Sequence, residues 1–487
     1  MGYKTYTCPI ARSCGGCEWL AVPYPIQLKR KRQAVEDLFS DLPGWNKVEF
    51  PDPVGMKTPL GYRHKAATPF APGARGSVRS GFYARGTHRI VPCSSCLVEA
   101  PGARKILGAV ARIAGDLRIP AYDEDRGRGF LRHAVVRVGW KTNECLLTLV
   151  TNGRDIRHPN ELLRRIRKFA PQVTALAQNV NTRKTNAILG HETHPLFGRG
   201  RMRDKLLGCV FEMGPTSFYQ TNPEQTERLY SLAIEGAQLK PGMRLLDAYC
   251  GIGTIGICAA RLQQDIEVVG VEQVDGAVGD ARTNARLNHL DDRCRFLHAD
   301  ATAYMHDARQ GREGFDVIVM DPPRAGSTPE FLEGAARLVP ERIVYISCNP
   351  TTQRRDIELL LSHGYVLERL TVVDMFPHTS HAETVAVLSR KSATKTFIPV
   401  TVSPKDMGLD EAKAQPTYEN IRKYVKETHG LTVSTLNIAQ MKVECGLEME
   451  CDRSGGKQQP KCPPEKREAI LDAFRHFGMI EDDSSEG

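Results

Sequence analysis

A thiol and a carboxylate stand at two places in this chain where apolar runs meet polar turns. Cys348 lies just past one such run, and Glu383 lies just before another. A lone cysteine is most often a small buried hydrophobe, but a turn at a strand end can direct its thiol into a crevice. There a thiolate can add to an electrophilic carbon, and a base can remove a proton afterwards. We predict Cys348 as nucleophile and Glu383 as base, with His378 and His381 as rivals for the second role.

A glycine-rich segment upstream of this pair predicts a cofactor site. An apolar strand ending near Asp247 runs through Gly251 and Gly253 into a predicted helix, and Glu272 ends the next strand. Glycines there let a ligand approach the backbone, and the carboxylate can bond ribose hydroxyls. With only two close glycines and no pyrophosphate to cradle, the segment favours S-adenosylmethionine over a dinucleotide. A tight strand-to-helix turn without a ligand is the alternative.

Two further strand ends carry carboxylates at the edge where open α/β sheets bind ligands. Asp300 follows the apolar run at 295–299, and Asp321 follows the run at 316–320 and opens the sequence Asp-Pro-Pro-Arg. We expect Asp321 to exchange hydrogen bonds with the ligand and Arg324 to meet a phosphate. The two prolines form a rigid lip against the reacting base or, alternatively, only stiffen a loop.

A thiol, a base and a methyl donor suggest one reaction. Carbon 5 of a uracil is too weak a nucleophile to take a methyl group unaided, but thiolate addition at carbon 6 creates an enolate that can. A base must then remove the carbon 5 proton so that the thiol can leave. Cytosine carbon 5 is a second possible target because it shares thiolate addition. The Ser-Cys-Asn-Pro turn at 347–350 argues against it.

Five segments in one order resemble the motif set of the RNA (uracil-C5)-methyltransferases, which make 5-methyluridine in transfer and ribosomal RNA. The segments are 218–222, 247–253, 321–326, 347–350 and 378–385. The resemblance spans about residues 61–390 and implies that Cys348 is the nucleophile and Glu383 the proton acceptor. It also implies S-adenosylmethionine contacts from Gln220, Tyr249, Glu272, Asp300 and Asp321. Thr254 stands where some relatives carry Asn, so its contact stays open.

Three cysteines near the N-terminus lie in one short loop. Cys8, Cys14 and Cys17 resemble the [4Fe–4S] loop found in part of this family, which implies a fourth ligand far along the chain. In relatives that ligand directly precedes an apolar pair, which selects Cys96 and leaves Cys93 as the alternative. Zinc on the same four thiolates is the chemical alternative. Because uracil methylation transfers no net electron, we expect the cluster to staple the fold or to support RNA contacts.

The cysteine loop resembles the ribosomal branches more than the bacterial transfer-RNA branch, so 23S ribosomal RNA is the expected substrate and tRNA the alternative. The target base must leave its stack, which makes Phe218, Tyr219 and Arg324 candidates for gripping it. An alternative from a different function class is a non-catalytic RNA-binding iron–sulfur protein. Retention of both Cys348 and Glu383 argues against that reading.

The elements that must position these residues follow from the apolar pattern. Residues 1–205 predict the cysteine loop and an α+β RNA-binding domain with antiparallel strands, for example at 134–138 and 145–150. A helix over 27–39 carries a basic run at 29–32 that we expect to face solvent. Residues 206–392 predict a doubly wound, Rossmann-like α/β methyltransferase sheet. Its expected strands are 244–246, 268–271, 295–298, 316–320, 343–346 and 385–388.

The remaining chain predicts a linker at 393–405 and a helical extension at 406–487. We expect helices near 418–428, 434–445 and 464–477, with Thr417 as a first N-cap. Many members of the family that the chain resembles begin with a small β-barrel RNA-binding domain, and we expect no room for one before Cys8. Basic residues on the first helix of the extension suit either replacement of that domain or a docking role; they are Arg422, Lys423 and Lys426. Three cysteines of the extension lack a clear fourth metal ligand, so we expect free thiols; they are Cys445, Cys451 and Cys462.

Composition sets the class of protein. With 41% hydrophobic and 25% charged residues among 487, the chain is ordinary globular material and not disordered or collagenous. Lys and Arg exceed Asp and Glu by 66 − 57 = 9, which suits RNA as a partner. No apolar run reaches membrane-spanning length and none precedes Cys8, so we expect a cytoplasmic protein. We separately expect it to be a monomer. Fourteen cysteines in a reducing compartment favour metal ligands or nucleophiles over disulfides.

Overall fold

Residues 4–310, 314–391, 417–445, 447 and 462–480 are described by the structure, a computed structural model. The chain divides into two units, Met1–Ser392 and Ala393–Gly487. The expected linker at 393–405 and the tail at 481–487 lie outside the described residues. The further division expected at residue 205 stays a prediction. Of the helices in the described ranges, none is long and apolar enough to cross a membrane.

The N-terminal half of the larger unit is built on a seven-stranded sheet. Its strands are β1 (Lys65–Pro72), β2 (Val78–Tyr83), β3 (Ile90–Pro92), β4 (Leu131–Val138), β5 (Cys145–Thr151), β6 (Ala175–Val180) and β7 (Glu192–Phe197). Their order is β3-β2-β1-β4-β5-β6-β7, and only β5 and β6 are parallel neighbours. The helices of this half are α1 (Ala11–Cys14), α2 (Tyr24–Phe39), α3 (Ala103–Asp116) and α4 (Pro159–Phe169). The expected α+β unit with antiparallel strands is therefore present, and α3 and α4 share a core with the sheet.

A hairpin of β8 (Met202–Leu206) and β9 (Cys209–Met213) connects the two halves. Its backbone is fixed to the second half because the N–H groups of Val210 and Glu212 donate to the side-chain oxygens of Asn288 and Asn284, at 2.9 and 2.8 Å. The chain then enters α5 (Pro223–Ala237), which Asn222 caps by accepting from the N–H of Gln225.

The second half is a seven-stranded sheet with helices on both faces. Its strands are β10 (Arg244–Ala248), β11 (Glu267–Glu272), β12 (Cys294–His298), β13 (Val317–Met320), β14 (Arg342–Ser347), β15 (Tyr365–Val373) and β16 (Glu383–Arg390). Their order is β12-β11-β10-β13-β14-β16-β15. The helices are α6 (Thr254–Leu262), α7 (Asp275–Leu287), α8 (Ala301–Gln310), α9 (Pro329–Arg337) and α10 (Pro350–Ser362). The expected doubly wound α/β fold is confirmed.

One strand departs from the sequence expectation. The first five strands of this sheet are parallel, and the additional strand β15 runs in the same direction. The chain turns back after β15, so β16 lies between β14 and β15 and runs antiparallel to both. Glu368 and Arg369 interrupt the apolar pattern of β15, and its register shifts between Leu367 and Arg369. That interruption hides the strand from a search for alternating apolar residues.

Helix α2 occupies one face of this second sheet with its apolar side. It begins three residues before the expected start, and the expectation that its whole basic run faces solvent is wrong for Lys31. Gln27, Lys31 and Val35 are spaced four residues apart and share one buried stripe. The Lys31 Nζ atom lies 2.6 Å from the Asp374 Oδ1 atom, and both side chains are fully buried.

The smaller unit contains three described helices, α11 (Tyr418–His429), α12 (Thr435–Glu444) and α13 (Pro464–His476). They agree with the three expected helices, and Thr417 caps α11 as expected by accepting from the N–H of Asn420. Their core contains Ile421, Val425, Ile438 and Phe474. Cys445 and Cys462 are free thiols, while Cys451 lies outside the described residues.

Candidate active site

The register of β14 and β16 brings the predicted nucleophile and base together. Ser347 lies opposite Thr384 in this antiparallel pair, so the next step along the two chains places Cys348 opposite Glu383. Residues that face each other in an antiparallel pair have Cα atoms about 4.5–5.5 Å apart. Glu383 is buried, whereas Cys348 keeps part of its surface exposed. The thiol is therefore the accessible member of the pair.

The turn that holds Cys348 is fixed by its neighbours. Asn349 caps α10 by accepting from the N–H of Thr351, and its Nδ2 atom donates to the carbonyl of Arg324 at 3.0 Å. The Ser347 hydroxyl accepts from the N–H of Asn349 at 3.0 Å. These bonds tie the end of β14 to the Asp-Pro-Pro-Arg segment that follows β13.

Burial dominates the electrostatics of the pair. It raises the pKa of Glu383 to about 8, with Asp321 raising it further and Arg324 opposing the shift. Burial also raises the pKa of Cys348, and the charges of Glu383 and Asp321 add to this effect. Arg324 opposes them through a hydrogen bond to the thiol and through its charge. The structure thus gathers Cys348, Glu383, Asp321 and Arg324 at one place.

The glycine-rich loop has the conformation that a close ligand requires. Gly251 and Gly253 have φ values of +54° and +80°, where side chains are strained. A Cβ atom on Gly253 would lie 2.8 Å from the Phe296 ring. Glu272 fixes the loop, because its two carboxylate oxygens accept from the N–H groups of Gly251 and Val274 at 3.1 and 2.9 Å.

Tyr249 and Asp300 lie close together beside this loop. Tyr249 has a φ of +63°, its hydroxyl is 2.9 Å from the Ser327 Oγ atom, and its ring packs on Phe331. Asp300 contributes to the raised pKa of Tyr249, whose main cause is burial. Asp300 itself is exposed and accepts from the N–H of Ala303 at 3.0 Å, at the start of α8.

Asp247 is a candidate that the sequence analysis did not assign. It is fully buried, its Oδ2 atom accepts from the N–H of Gly256 at 2.8 Å, and its Oδ1 atom has no partner among the described residues. Burial raises its pKa to about 7, and the charges of Asp321 and Glu272 add to the effect. We call Asp247, Glu272 and Asp321 the carboxylate group. The position of Asp247 directly before the glycine-rich loop was the sequence feature that could have identified it.

The carboxylate group fits S-adenosylmethionine on chemical grounds. This molecule carries a sulfonium and an ammonium charge, and a nearby cation would oppose the effect of Asp321 and Glu272 on the pKa of Asp247. Burial also raises the pKa of Asp321 to about 7. The Asp247 Oδ1 atom is a buried acceptor without a partner among the described residues. Leaving such an acceptor unpaired costs free energy, so a donor on a bound ligand would stabilise it.

Three residues of the segment before α5 differ in how far they are exposed; they are Phe218, Tyr219 and Gln220. Phe218 is 67% exposed and is available to a base, as expected. Tyr219 is buried in the core with its hydroxyl 3.4 Å from the Asp204 Oδ2 atom, so the expectation that it grips RNA is wrong. Gln220 is partly buried beside Thr221, whose carbonyl accepts from the N–H of His64 at 2.8 Å.

The rival bases have other roles in the structure. His378 is buried, and its Nε2 and Nδ1 atoms lie 2.8 Å from the Pro59 carbonyl and 3.1 Å from the Gln27 Nε2 atom. His381 has its pKa lowered first by burial and then by Arg324. His378 therefore has a structural place in the fold.

The predicted metal ligands lie near one another without forming a coordination sphere. Burial raises the pKa of Cys17 to about 11, and the charges of Cys96, Cys14 and Cys8 raise it further. Cys14, Cys17 and Cys96 line one cavity. Within the described parts of the chain, no set of three or more His, Cys, Asp or Glu side chains is arranged to hold a metal ion.

Comparison with known sequences identifies relatives of the larger unit. A family model described as tRNA (Uracil-5-)-methyltransferase matches residues 200–391. An uncharacterized RNA methyltransferase of Halalkalibacterium halodurans is 39% identical over 385 residues, which covers 79% of this chain and 83% of that protein. An uncharacterized RNA methyltransferase of Staphylococcus aureus is also 39% identical, over 79% of this chain and 84% of that protein.

A solved structure has the same fold over most of its length. It is the Pyrococcus abyssi tRNA (uracil-54, C5)-methyltransferase in complex with S-adenosyl-L-homocysteine. The two chains are 26% identical and superpose with a TM-score of 0.63, over 79% of this chain and 87% of that one.

Proposed function

The chain belongs to the RNA (uracil-C5)-methyltransferase family, and on that premise we propose that it methylates carbon 5 of a uridine through a covalent adduct on Cys348. Family membership makes it an RNA methyltransferase that uses S-adenosylmethionine. The observation that supports the adduct is the register that sets Cys348 opposite Glu383 at the ends of β14 and β16.

Each residue of the pair has one task in this reaction. The Cys348 thiolate adds to carbon 6 of the uracil, which turns carbon 5 into a nucleophile. Bound S-adenosylmethionine supplies the methyl group as an electrophile. Glu383 then takes the proton from carbon 5, the bond between sulfur and carbon 6 breaks, and the ring double bond re-forms. Arg324 favours the thiolate because it lowers the pKa of Cys348.

We propose that Gln220, Tyr249, Glu272, Asp300 and Asp321 contact S-adenosylmethionine, and we add Asp247. Support comes from their positions at the carboxyl ends of β10 to β13 and in the segment before α5. This is the edge where open α/β sheets bind ligands. The adjacent carboxylates of Asp247, Glu272 and Asp321 suit the positive charge of the donor.

For the target we propose 23S ribosomal RNA, on the strength of the loop formed by Cys8, Cys14 and Cys17. Transfer RNA is the alternative, because the matching family model and the Pyrococcus abyssi enzyme are both described by their action on tRNA. Mapping 5-methyluridine in both RNAs from cells with and without the protein tests the choice. Loss from 23S RNA alone supports the proposal, and loss from tRNA alone contradicts it.

We also propose a [4Fe–4S] cluster on Cys8, Cys14, Cys17 and Cys96. Support comes from Cys17, whose pKa is raised first by burial and then by the charges of Cys96, Cys14 and Cys8, and from the cavity that Cys14, Cys17 and Cys96 line. Cys96 is preferred over Cys93 because Cys17 responds to the charge of Cys96. Zinc remains the chemical alternative.

A further inference from the structure

A large cavity lies in the N-terminal half of the larger unit, apart from the carboxylate group. Its volume is about 1350 Å³, and β1, β2, β4 and the turn between β2 and β3 form much of its wall. It is the cavity that Cys14, Cys17 and Cys96 also line, so the proposed cluster would lie at one side of it. Sites for small molecules measure roughly 300–1,000 Å³. The size of this cavity therefore suits a stretch of polymer better than a single small ligand. We call it the basic cavity.

The lining of the basic cavity has an excess of positive charge. Five cations of the lining pair with no carboxylate in the described part of the chain; they are Arg63, Lys65, Arg79, Arg85 and Arg89. The three lining carboxylates are all engaged already: Glu99 with Arg104, Glu124 with Arg132 at 3.1 Å, and Asp125 with His88 at 2.8 Å. Unneutralised cations around a cavity predict a polyanionic ligand.

Lys65 has a second cation beside it instead of a carboxylate. It lies opposite Arg137 in the pairing of β1 with β4. Burial and the charge of Arg137 lower the pKa of Lys65 to about 8. A phosphate at this wall would favour the charged form of the lysine, which a second cation alone disfavours.

One wall also offers aromatic rings and unused polar atoms. The ring of Tyr83 lies 5.4 Å from that of His88 and 6.3 Å from that of His133, measured between centroids. The Tyr83 hydroxyl and the His133 Nδ1 atom are buried and have no hydrogen-bond partner among the described residues. An unpaired RNA base supplies both a flat face and a polar edge, and proteins read single-stranded RNA through these two features.

The basic cavity adjoins the catalytic turn. Arg63, a lining residue, lies over the rings of Tyr62 and Phe376, at 5.9 and 5.6 Å. Arg63 and Arg324 both lower the pKa of His381, so these two cations lie near the same side chain. Since Arg324 also bonds the Cys348 thiol, a strand leaving the target uridine has a short path to the basic cavity.

We propose that the basic cavity binds the single-stranded RNA next to the target uridine. Phosphates lie on Arg63, Lys65 and Arg79, and one unpaired base lies against Tyr83 and His133. This inference rests on the proposed function, which supplies the RNA substrate. It adds the place where the unpaired nucleotides beside the target uridine bind.

Binding of fluorescein-labelled oligouridylate of 12 nucleotides to the full chain tests the charge. We expect the Lys65→Gln, Arg79→Gln double variant to bind about tenfold more weakly at low salt. The slope of log affinity against log salt should fall by about 1.4, or about 0.7 for each lost phosphate contact on a single strand. The matched control is Lys105→Gln, Arg112→Gln, two exposed residues of α3 outside the cavity lining. Equal slopes for wild type and the first variant would overturn the proposal.

The aromatic wall has its own test with the same oligonucleotide. Tyr83→Ala should weaken binding about fivefold or more without changing the salt slope, because stacking carries no charge. Tyr83→Phe keeps the aromatic ring and should therefore retain most of the affinity. An unchanged affinity for Tyr83→Ala would contradict the base site.

Competition separates an RNA strand from a small anion. Millimolar inorganic phosphate should weaken binding of the labelled oligouridylate no more than an inert salt of the same ionic strength does. Complete displacement by phosphate would overturn the proposal that the cavity binds an RNA strand. None of these binding measurements needs methyl transfer. Failure of the cavity variants to alter binding by an active enzyme sinks this inference alone, whereas normal binding by an enzyme that makes no 5-methyluridine sinks the proposed function alone.

Discussion

Arg324 connects the electrostatics of the nucleophile and the base, because it lowers the pKa of both Cys348 and Glu383. Burial and Asp321 act in the opposite direction on Glu383, whose pKa is about 8. Both groups must lose a proton before they act, the thiol to add and the carboxyl to accept. The rate should therefore rise with pH until both are ionised.

Replacement of Arg324 by Gln removes the positive charge and should raise both pKa values. We expect the rising limb of the rate against pH to move up by about one unit, and the rate at pH 7 to fall about tenfold. Single-turnover methyl transfer between pH 6 and 9.5 measures this. Arg337→Gln is the control, since that exposed residue pairs only with Glu333 on its own helix. A lower rate with an unshifted limb would show that Arg324 does not control these ionisations.

At the residue scale, the sequence predicts chemistry where a polar group follows an apolar strand. Cys348 and Asp321 were found in this way, Glu383 was found just before a strand, and the structure brings the three together. Asp247 was not assigned, because a carboxylate inside a strand looks like a cap for the following loop until its unpaired oxygen is seen. The prediction that Tyr219 contacts RNA beside Phe218 was wrong because adjacent residues in an extended segment point in opposite directions.

At the scale of elements, β15 decides whether the pair can meet. In a wholly parallel sheet the start of the last strand would lie at the edge opposite the end of β14. Because the chain adds β15 in the same direction as β14 and then turns back, β16 runs antiparallel and Glu383 lies beside Cys348. The expected parallel sheet therefore did not itself explain the expected pair. Register of this kind depends on contacts between distant segments and is not readable from local periodicity.

The loop between β15 and β16 is held by helix α2. The Tyr24 hydroxyl donates to the Asp374 Oδ2 atom at 2.7 Å, and the Lys31 Nζ atom donates to Asp374 and to the Phe376 carbonyl at 2.6 and 3.1 Å. This loop ends at Glu383, so α2 positions the base through it. Burial lowers the pKa of Lys31, and the charge of Asp374 opposes that shift.

Loss of one member of the buried pair should be costly. Lys31→Met leaves Asp374 buried without its cation, which we expect to lower the free energy of unfolding by about 3–5 kcal/mol. The double variant Lys31→Met, Asp374→Asn should recover most of that loss, because it buries no unpaired charge. Urea unfolding measures both, and Lys29→Met on the exposed face of α2 is the control. A single variant as stable as wild type would contradict the role of the pair.

At the scale of the molecule, the N-terminal cysteine loop and the segment around Cys96 are joined at the cavity that Cys14, Cys17 and Cys96 line. A metal on the four thiolates would crosslink these distant parts of the chain and contribute to folding. The spacing of the cysteines suggested this from the sequence. The extension after residue 405 gave only helices and exposed basic residues, which do not specify a partner.

Purification without oxygen tests the metal. We expect brown protein with iron and sulfide in equal amounts, and lower stability once the metal is removed. Cys96→Ser should bleach it, and Cys93→Ser is the matched control that should not. A colourless protein with one zinc per chain would reject the iron–sulfur assignment, and bleaching by Cys93→Ser alone would move the fourth ligand to Cys93.

The covalent step at Cys348 is central to the proposed function, and trapping the adduct tests it most directly. Glu383→Gln should still allow addition and methyl transfer but remove the group that accepts the carbon 5 proton. With S-adenosylmethionine and unmodified RNA it should accumulate a protein–RNA adduct that survives a denaturing gel, and peptide mass should place the methylated nucleotide on Cys348. The same variant with Cys348→Ala should give none. Absence of an adduct from Glu383→Gln, or its persistence without Cys348, would contradict the account.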